Sequence, residues 1–167
     1  INIMNDIDLT GKEWTPIGGW NGTENDDSKK FSGNFDGNNF TIKNMQIGTK
    51  NKYAEYNYTG LFGYVYSSKS IITNISLNNV TVYSNGNYIG GLAGYATANI
   101  LNCNVNGNIF GKNNVGGLIG YSYAYVKNCF TNCNVNGNYS VGGLIGTSWT
   151  NIENCFSTSN VTGTDSC

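Results

Sequence analysis

The residues of this chain best suited to nucleophilic, redox or soft-metal chemistry are five cysteines, Cys103, Cys129, Cys133, Cys155 and Cys167. Cys129 and Cys133 have a tolerable spacing for a zinc pair, but there is no histidine and no second close cysteine pair, so no metal site is predicted. Acidic groups are as sparse. Glu24, Asp26 and Asp27 form the only acidic cluster; the glycine-rich nonapeptide of calcium-binding rolls is absent and Lys29 and Lys30 follow at once, so the segment reads as a solvated loop. Asp6 and Asp8 lie in the opening segment and Asp36 in a turn signal, while the second half of the chain has almost no ionisable side chains. A polysaccharide-cleaving enzyme needs close carboxylates for acid–base work, or a base beside bound calcium. The sequence predicts no catalytic residue, no cofactor and no bound metal.

The elements that carry these residues are repeats. Ile89-Gly-Gly-Leu-Ala-Gly-Tyr95 returns as Val115-Gly-Gly-Leu-Ile-Gly-Tyr121 and as Val141-Gly-Gly-Leu-Ile-Gly-Thr147, each 26 residues after the last. A fixed period of this size marks a solenoid, whose repeats bury their apolar faces by stacking. Thr59-Gly-Leu-Phe-Gly-Tyr64 is a degenerate earlier copy. The following segments align so that Ile72, Ile100, Val126 and Ile152 form an always-apolar column, predicted to point inward, while Thr73, Leu101, Lys127 and Glu153 vary and should point outward. Asn74, Asn102, Asn128 and Asn154 never change, as expected of a side-chain amide ladder at one corner of a stacked coil. The Gly-Gly pairs point to a tight bend or a close backbone approach. Cys103, Cys129 and Cys155 occupy the column that holds Ile75 in the earlier copy, a structural, interior position where a free thiol acts as a small hydrophobe. Stacked turns also bring Cα atoms within disulfide range, so a bridge in that column stays open as an alternative. Cys167 is the odd one and is free to pair outside the chain.

Upstream, Phe31 to Ile47 reads as two strands around an Asp36-Gly37 turn, and residues 1–30, with Pro16, Trp14, Trp20 and much of the charge, read as an N-terminal cap. Short alternating segments rich in β-branched and aromatic residues, with Gly and Asn turns and no helical periodicity, place the chain in the all-β class. The predicted fold is a right-handed parallel β-helix of about five coils, roughly 25 Å long, in a single domain: a cap over 1–30, irregular coils over 31–86 and regular repeats over 87–167.

Composition narrows the partners. Charged residues make up 11% of the 167 residues and the net charge is −1, while 30 asparagines carry much of the polarity. Without arginine or a basic patch, the chain lacks the electrostatic footprint that nucleic-acid binding requires, and no nucleic-acid partner is predicted. No apolar run is long enough to span a membrane. No signal peptide precedes the repeats, so an export signal is expected outside this chain. Seven Asn-x-Ser/Thr triplets, at Asn21, Asn39, Asn57, Asn74, Asn79, Asn138 and Asn160, would be glycan acceptors only in a secreted context. Twelve tyrosines set among Asn, Ser and Gly suit either a contact surface or a shield along the flanks.

Val115-Gly-Gly-Leu-Ile-Gly-Tyr121 followed by Asn128-Cys-Phe-Thr-Asn-Cys-Asn-Val-Asn-Gly137 resembles the GLUG repeat, and Asp6-Ile-Asp-Leu9, Trp14-Thr-Pro-Ile17, Phe31-x-Gly-x-Phe-Asp-Gly37 and Thr41-Ile-Lys-Asn-Met45 resemble the segment that often precedes such repeats. The chain departs from the pattern after Cys103, where Asn-Val105-Asn-Gly follows directly, which leaves Cys103 to stack on either Cys129 or Cys133. The resemblance implies an extracellular or cell-surface, adhesin-like protein, in some cases beside an immunoglobulin A-directed peptidase, with no catalytic residues in the repeats. The expected function is therefore a structural or adhesive module: a stiff spacer, with host or cell-surface glycans or proteins as partners, and a homo-oligomer formed by end-to-end stacking into a fibre as a variant. A β-helix enzyme acting on polysaccharide and a targeting module of a surface peptidase are the alternatives.

Overall fold

A computed structural model of the chain describes residues 1–19 and 29–165. Trp20, the acidic cluster of Glu24, Asp26 and Asp27, and Cys167 lie outside the described residues. Strand β1 (Ile7–Asp8) belongs to a partial opening turn. Four complete turns follow: β2 (Phe35–Asp36), β3 (Thr41–Lys43), β4 (Gln46–Ile47) and β5 (Phe62–Val65); β6 (Ile71–Thr73), β7 (Ser76–Tyr83), β8 (Asn87–Gly90) and β9 (Ala93–Ala96); β10 (Asn99–Leu101), β11 (Asn104–Phe110), β12 (Asn113–Gly116) and β13 (Ile119–Ser122); and β14 (Val126–Lys127), β15 (Phe130–Gly142) and β16 (Ile145–Ser148). A last partial turn holds β17 (Ile152–Glu153), β18 (Phe156–Ser157) and β19 (Asn160–Asp165). The fold is an all-β parallel solenoid, with four full turns and a partial turn at either end where the repeat pattern suggests about five coils.

Like parts of successive turns lie over one another, giving sheets of 10, 5 and 4 strands. The 26-residue period is the register itself: Ile89 pairs with Val115 and Val115 with Val141, while Ile100 pairs with Val126 and Val126 with Ile152. The Gly-Gly-Leu segments are adjacent, with the Leu92 amide donating to the Leu118 carbonyl at 2.9 Å and the Leu118 amide to the Leu144 carbonyl at 2.8 Å. Glycine is needed there because a Cβ on Gly117 would lie 2.2 Å from the Gly143 carbonyl oxygen, a distance no side chain tolerates.

The core runs along the axis. Ile72, Ile100 and Val126 are fully buried, and Ile152, in the last turn, is 45% exposed. In the first turns the interior is aromatic, with Phe31, Phe35 and Phe62 in mutual ring contact and Met45 and Ile47 beside them. In the repeats it is aliphatic, with Ile89, Leu92, Ile100, Ile109, Leu118 and Ile119 beside the smaller Ala93, Ala96, Ala98 and Ala124. The stretch Phe31 to Ile47 holds strands on both sides of the Asp36-Gly37 turn, closed by the Phe40 amide on the Gly37 carbonyl at 2.8 Å, but β2 and β3 do not pair with each other: they lie in different sheets, each bonded to the next turn. Asp36-Gly37 is a corner of the solenoid, which looks like a hairpin turn when the period of the long turn cannot be seen.

Residues 1–18 follow the path of a turn, with Asn2 bridging Asp36, Ile7 pairing Ile42, Glu13 bridging Gln46 and Ile17 bridging Phe62. They cover the turn behind them. Their own outer edge carries exposed Ile1, Met4 and Ile7 around an apolar hollow of about 560 Å³.

Candidate functional site

Asn74, Asn102, Asn128 and Asn154 sit at one corner with φ of 55°, 52°, 54° and 51°, the left-handed conformation that asparagine tolerates best after glycine. Each side-chain amide donates to the turn before it: Asn102 to Asn74 at 3.1 Å, Asn128 to Asn102 at 3.0 Å, and Asn154 to Asn128 at 3.4 Å. At its root Asn74 donates to the Asp36 carboxylate at 3.0 Å. The ladder is therefore polar along the column, with donors aimed at the N-terminal turns, and a carboxylate, which only accepts, terminates it. Bonds from the Asn38 amide and Asn74 hold Asp36 below the usual carboxylate range. Asp8 does the same for a shorter ladder, taking bonds from Thr10 and from Asn44, whose own oxygen accepts from Asn79 at 2.7 Å. Those bonds, Thr10 first, hold Asp8 far below the usual range.

Sequence reading missed these roots, and it missed a third ladder, Asn160 to Asn134 at 3.0 Å and Asn134 to Asn108 at 2.9 Å. The signal was present: Asn108, Asn134 and Asn160 are also 26 apart.

The cysteine column is Cys103, Cys129 and Cys155. The Cys103 amide meets the Cys129 sulfur at 3.4 Å and the Cys129 amide meets the Cys155 sulfur at 3.3 Å. Cys133 is elsewhere, in register with Gly107. These four cysteines are free thiols. Burial pushes Cys103 well up and Cys133 up to about 11, and raises Cys155, so all three are held as thiols at neutral pH, where they are poor nucleophiles. Among the described residues no group of three His, Cys, Asp or Glu side chains is placed to hold a metal ion.

The largest exposed chemical feature is an aromatic flank. Tyr64, Tyr95 and Tyr121 lie over one another, with ring centroids 4.6 and 5.4 Å apart, because each follows the same point of strands β5, β9 and β13. Tyr58 and Tyr88 stack beside them at 5.0 Å. These half-buried rings spend their faces on one another and shield the sheet. The residues after β5, β13 and β16 are more open: Tyr66, Tyr123 and Trp149 are 50%, 45% and 64% exposed. Tyr123 and Trp149 are stacked at 6.2 Å, and the Trp149 indole N–H donates to the Tyr121 hydroxyl at 2.7 Å.

A family model for the GLUG motif matches residues 85–109 and 137–162. The chain carries the GLUG motif twice. Each match covers about one circuit of the column, from the run-up to a Gly-Gly pair into a strand of the large sheet, β11 in the first and β19 in the second, and Val115 to Tyr121 between the two matches repeats the same text. No curated protein matches the sequence. Among solved structures, the crystal structure of a candidate immunoglobulin A1 protease from Bacteroides ovatus is similar, with a TM-score of 0.73 and 24% identity over 98% of this chain and 51% of that one. This chain spans about half the length of that structure, and the likeness is one of fold. The GLUG motifs thus sit in a solenoid framework shared beyond the two matched stretches.

Proposed function

We propose that the chain is a non-catalytic module of an exported, cell-surface protein, a stiff spacer whose aromatic flank is the contact surface for glycans or proteins. The observation that carries this reading is the open row of Tyr123 and Trp149 on the flank of a rigid, in-register column. Rings of this kind offer large contact area at little cost in conformational entropy, and the Asn, Ser and Thr side chains around them supply adaptable hydrogen bonds. Among the described residues, by contrast, ionisable groups serve ladder roots and two surface pairs, Lys127 with Glu153 at 2.7 Å and Lys43 with Asp8 at 3.4 Å, and no three His, Cys, Asp or Glu side chains gather at one point. The test is a panel of glycans and surface proteins presented to the purified chain, with bond cleavage followed in the same wells. Binding that a Tyr123→Ala, Trp149→Ala double variant loses, without cleavage products, supports the reading; new reducing ends or peptide fragments favour the enzyme.

A second reading, end-to-end stacking, draws on apolar side chains exposed in the first and last described turns: Ile1, Met4 and Ile7 in one, Ile152, Phe156 and Val161 in the other. Sedimentation that grows with concentration and is abolished by Phe156→Asp supports it; a monomer at high concentration contradicts it. The name of the Bacteroides ovatus structure suggests a third use, beside a peptidase, which a His-Glu-x-x-His motif in the same reading frame would favour.

A further inference from the structure

The open row begins at a notch. Val65 pairs with Ala96, Ala96 with Ser122 and Ser122 with Ser148, and Phe31 bridges Val65, so the residues that follow, Ser32, Tyr66, Thr97, Tyr123 and Trp149, fall in one column at one per turn. The rise is about 4.8 Å per turn. Where Thr97 interrupts the aromatic series, Ser32, Tyr66, Ser67, Ser68, Lys69 and Thr97 line an open notch of about 510 Å³.

The notch is held in shape before anything binds. The Ser70 hydroxyl, 4% exposed, donates to the Ser32 carbonyl at 2.7 Å, the Ser70 amide closes a turn on the Ser67 carbonyl at 3.1 Å, and the Ser67 amide donates to the Thr97 hydroxyl at 2.9 Å. Among the described residues the hydroxyls of Ser32, Ser67 and Ser68 have no protein partner and Lys69 makes no ion pair. Among the described residues no carboxylate lines the notch, and the Lys30 ammonium lies 4.5 Å from the Tyr66 ring centroid. The wall is an aromatic ring, the rim carries groups that both donate and accept, and the charge is positive. An acidic peptide would use the charge and could bond the hydroxyls, but its backbone has no saturated ring face to lay on Tyr66; a pyranose matches both the hydroxyls and the ring, and a carboxylate on it matches Lys69.

We infer that this notch binds a carboxylated pyranose, a uronic-acid unit of a glycan chain, with neighbouring sugar units continuing over Thr97 toward Tyr123 and Trp149. This rests on the contact-surface reading above. An oligogalacturonate and its methyl ester, which keeps the ring and removes the charge, are titrated by calorimetry against the intact chain and against Lys69→Gln and Tyr66→Ser. The acid is expected to bind about two- to fivefold more tightly than the ester, the range of an exposed ion pair. Lys69→Gln, an exposed substitution checked by an unchanged melting temperature, should erase that preference, and Tyr66→Ser should weaken both ligands. Equal binding of acid and ester, a preference that survives Lys69→Gln, or no binding of either overturns the inference. If acid and ester bind equally and the Tyr123→Ala, Trp149→Ala variant weakens both, the flank remains a contact surface and only the uronic-acid assignment fails.

Discussion

The irregular turns before residue 87 and the regular turns after it solve the same packing problem differently. In the regular turns many residues meet a similar one a single turn away, so the interior is filled by aliphatic side chains from alanine to isoleucine, the corners by asparagine amides, and at the Gly-Gly pairs the backbones approach until only glycine fits. In the first turns the loops vary in length, like does not meet like, and the interior is filled by Phe31, Phe35, Phe62 and Met45. The ladders show the same contrast. An asparagine satisfies its neighbours only while another lies beneath it, and where the series stops, Asp36 and Asp8 take the last donors. Repetition makes a surface extendable, and irregular turns are what begin it.

The largest way to break this comparison is to remove an aromatic filler. Phe62→Ala should cost about 3–5 kcal/mol in denaturant unfolding, because the rings of Phe31 and Phe35 lose their shared partner. Next, Gly117→Ala should cost about 3 kcal/mol, since its Cβ meets backbone that cannot give way. Gly33→Ala, in an irregular turn where the new Cβ meets only the Phe31 ring at 3.4 Å, should change stability by less than about 0.5 kcal/mol. Equal costs at the two glycines would erase the distinction between the regions.

The ladder separates into two smaller effects. Asn128→Ala loses both the left-handed preference and the amide bonds and should cost about 2 kcal/mol, while Asn128→Gly restores the conformation and should cost about 1 kcal/mol. If glycine is as costly as alanine, the side-chain bonds alone hold the corner.

The smallest effect is set by pH. Asp8 and Asp36 have folded pKa values below their unfolded ones, so their contribution is fully present above about pH 4 and is lost as the pH falls through the depressed folded values. Amide protection in the first turns, taken relative to the intrinsic exchange rate at each pH, should therefore fall below about pH 4 before protection in the repeats does. Asp36→Asn should flatten that difference.

Much of the regular region was legible in the sequence because a strict period writes the register directly: the inward column at Ile72, Ile100 and Val126, the corner asparagines and the stacking of the Gly-Gly-Leu segments all follow from 26-residue spacing. The irregular region was less legible. Phe31 to Ile47 looks like a local turn because the partner strands lie 35 residues and more away, and no spacing signals that Asp36 or Asp8 ends a ladder. The notch at Thr97 was not legible either, since Ser32, the Tyr66–Lys69 segment and Thr97 come from three different turns.

The account depends on like segments lying over one another in parallel register. In solution, nuclear Overhauser contacts should link Leu92 with Leu118 and Leu118 with Leu144, with the amides of Leu92 and Leu118 among the slowest to exchange. Contacts instead between segments adjacent in sequence, in the antiparallel pattern of hairpins, would contradict the stacked column and the contact surface built on it.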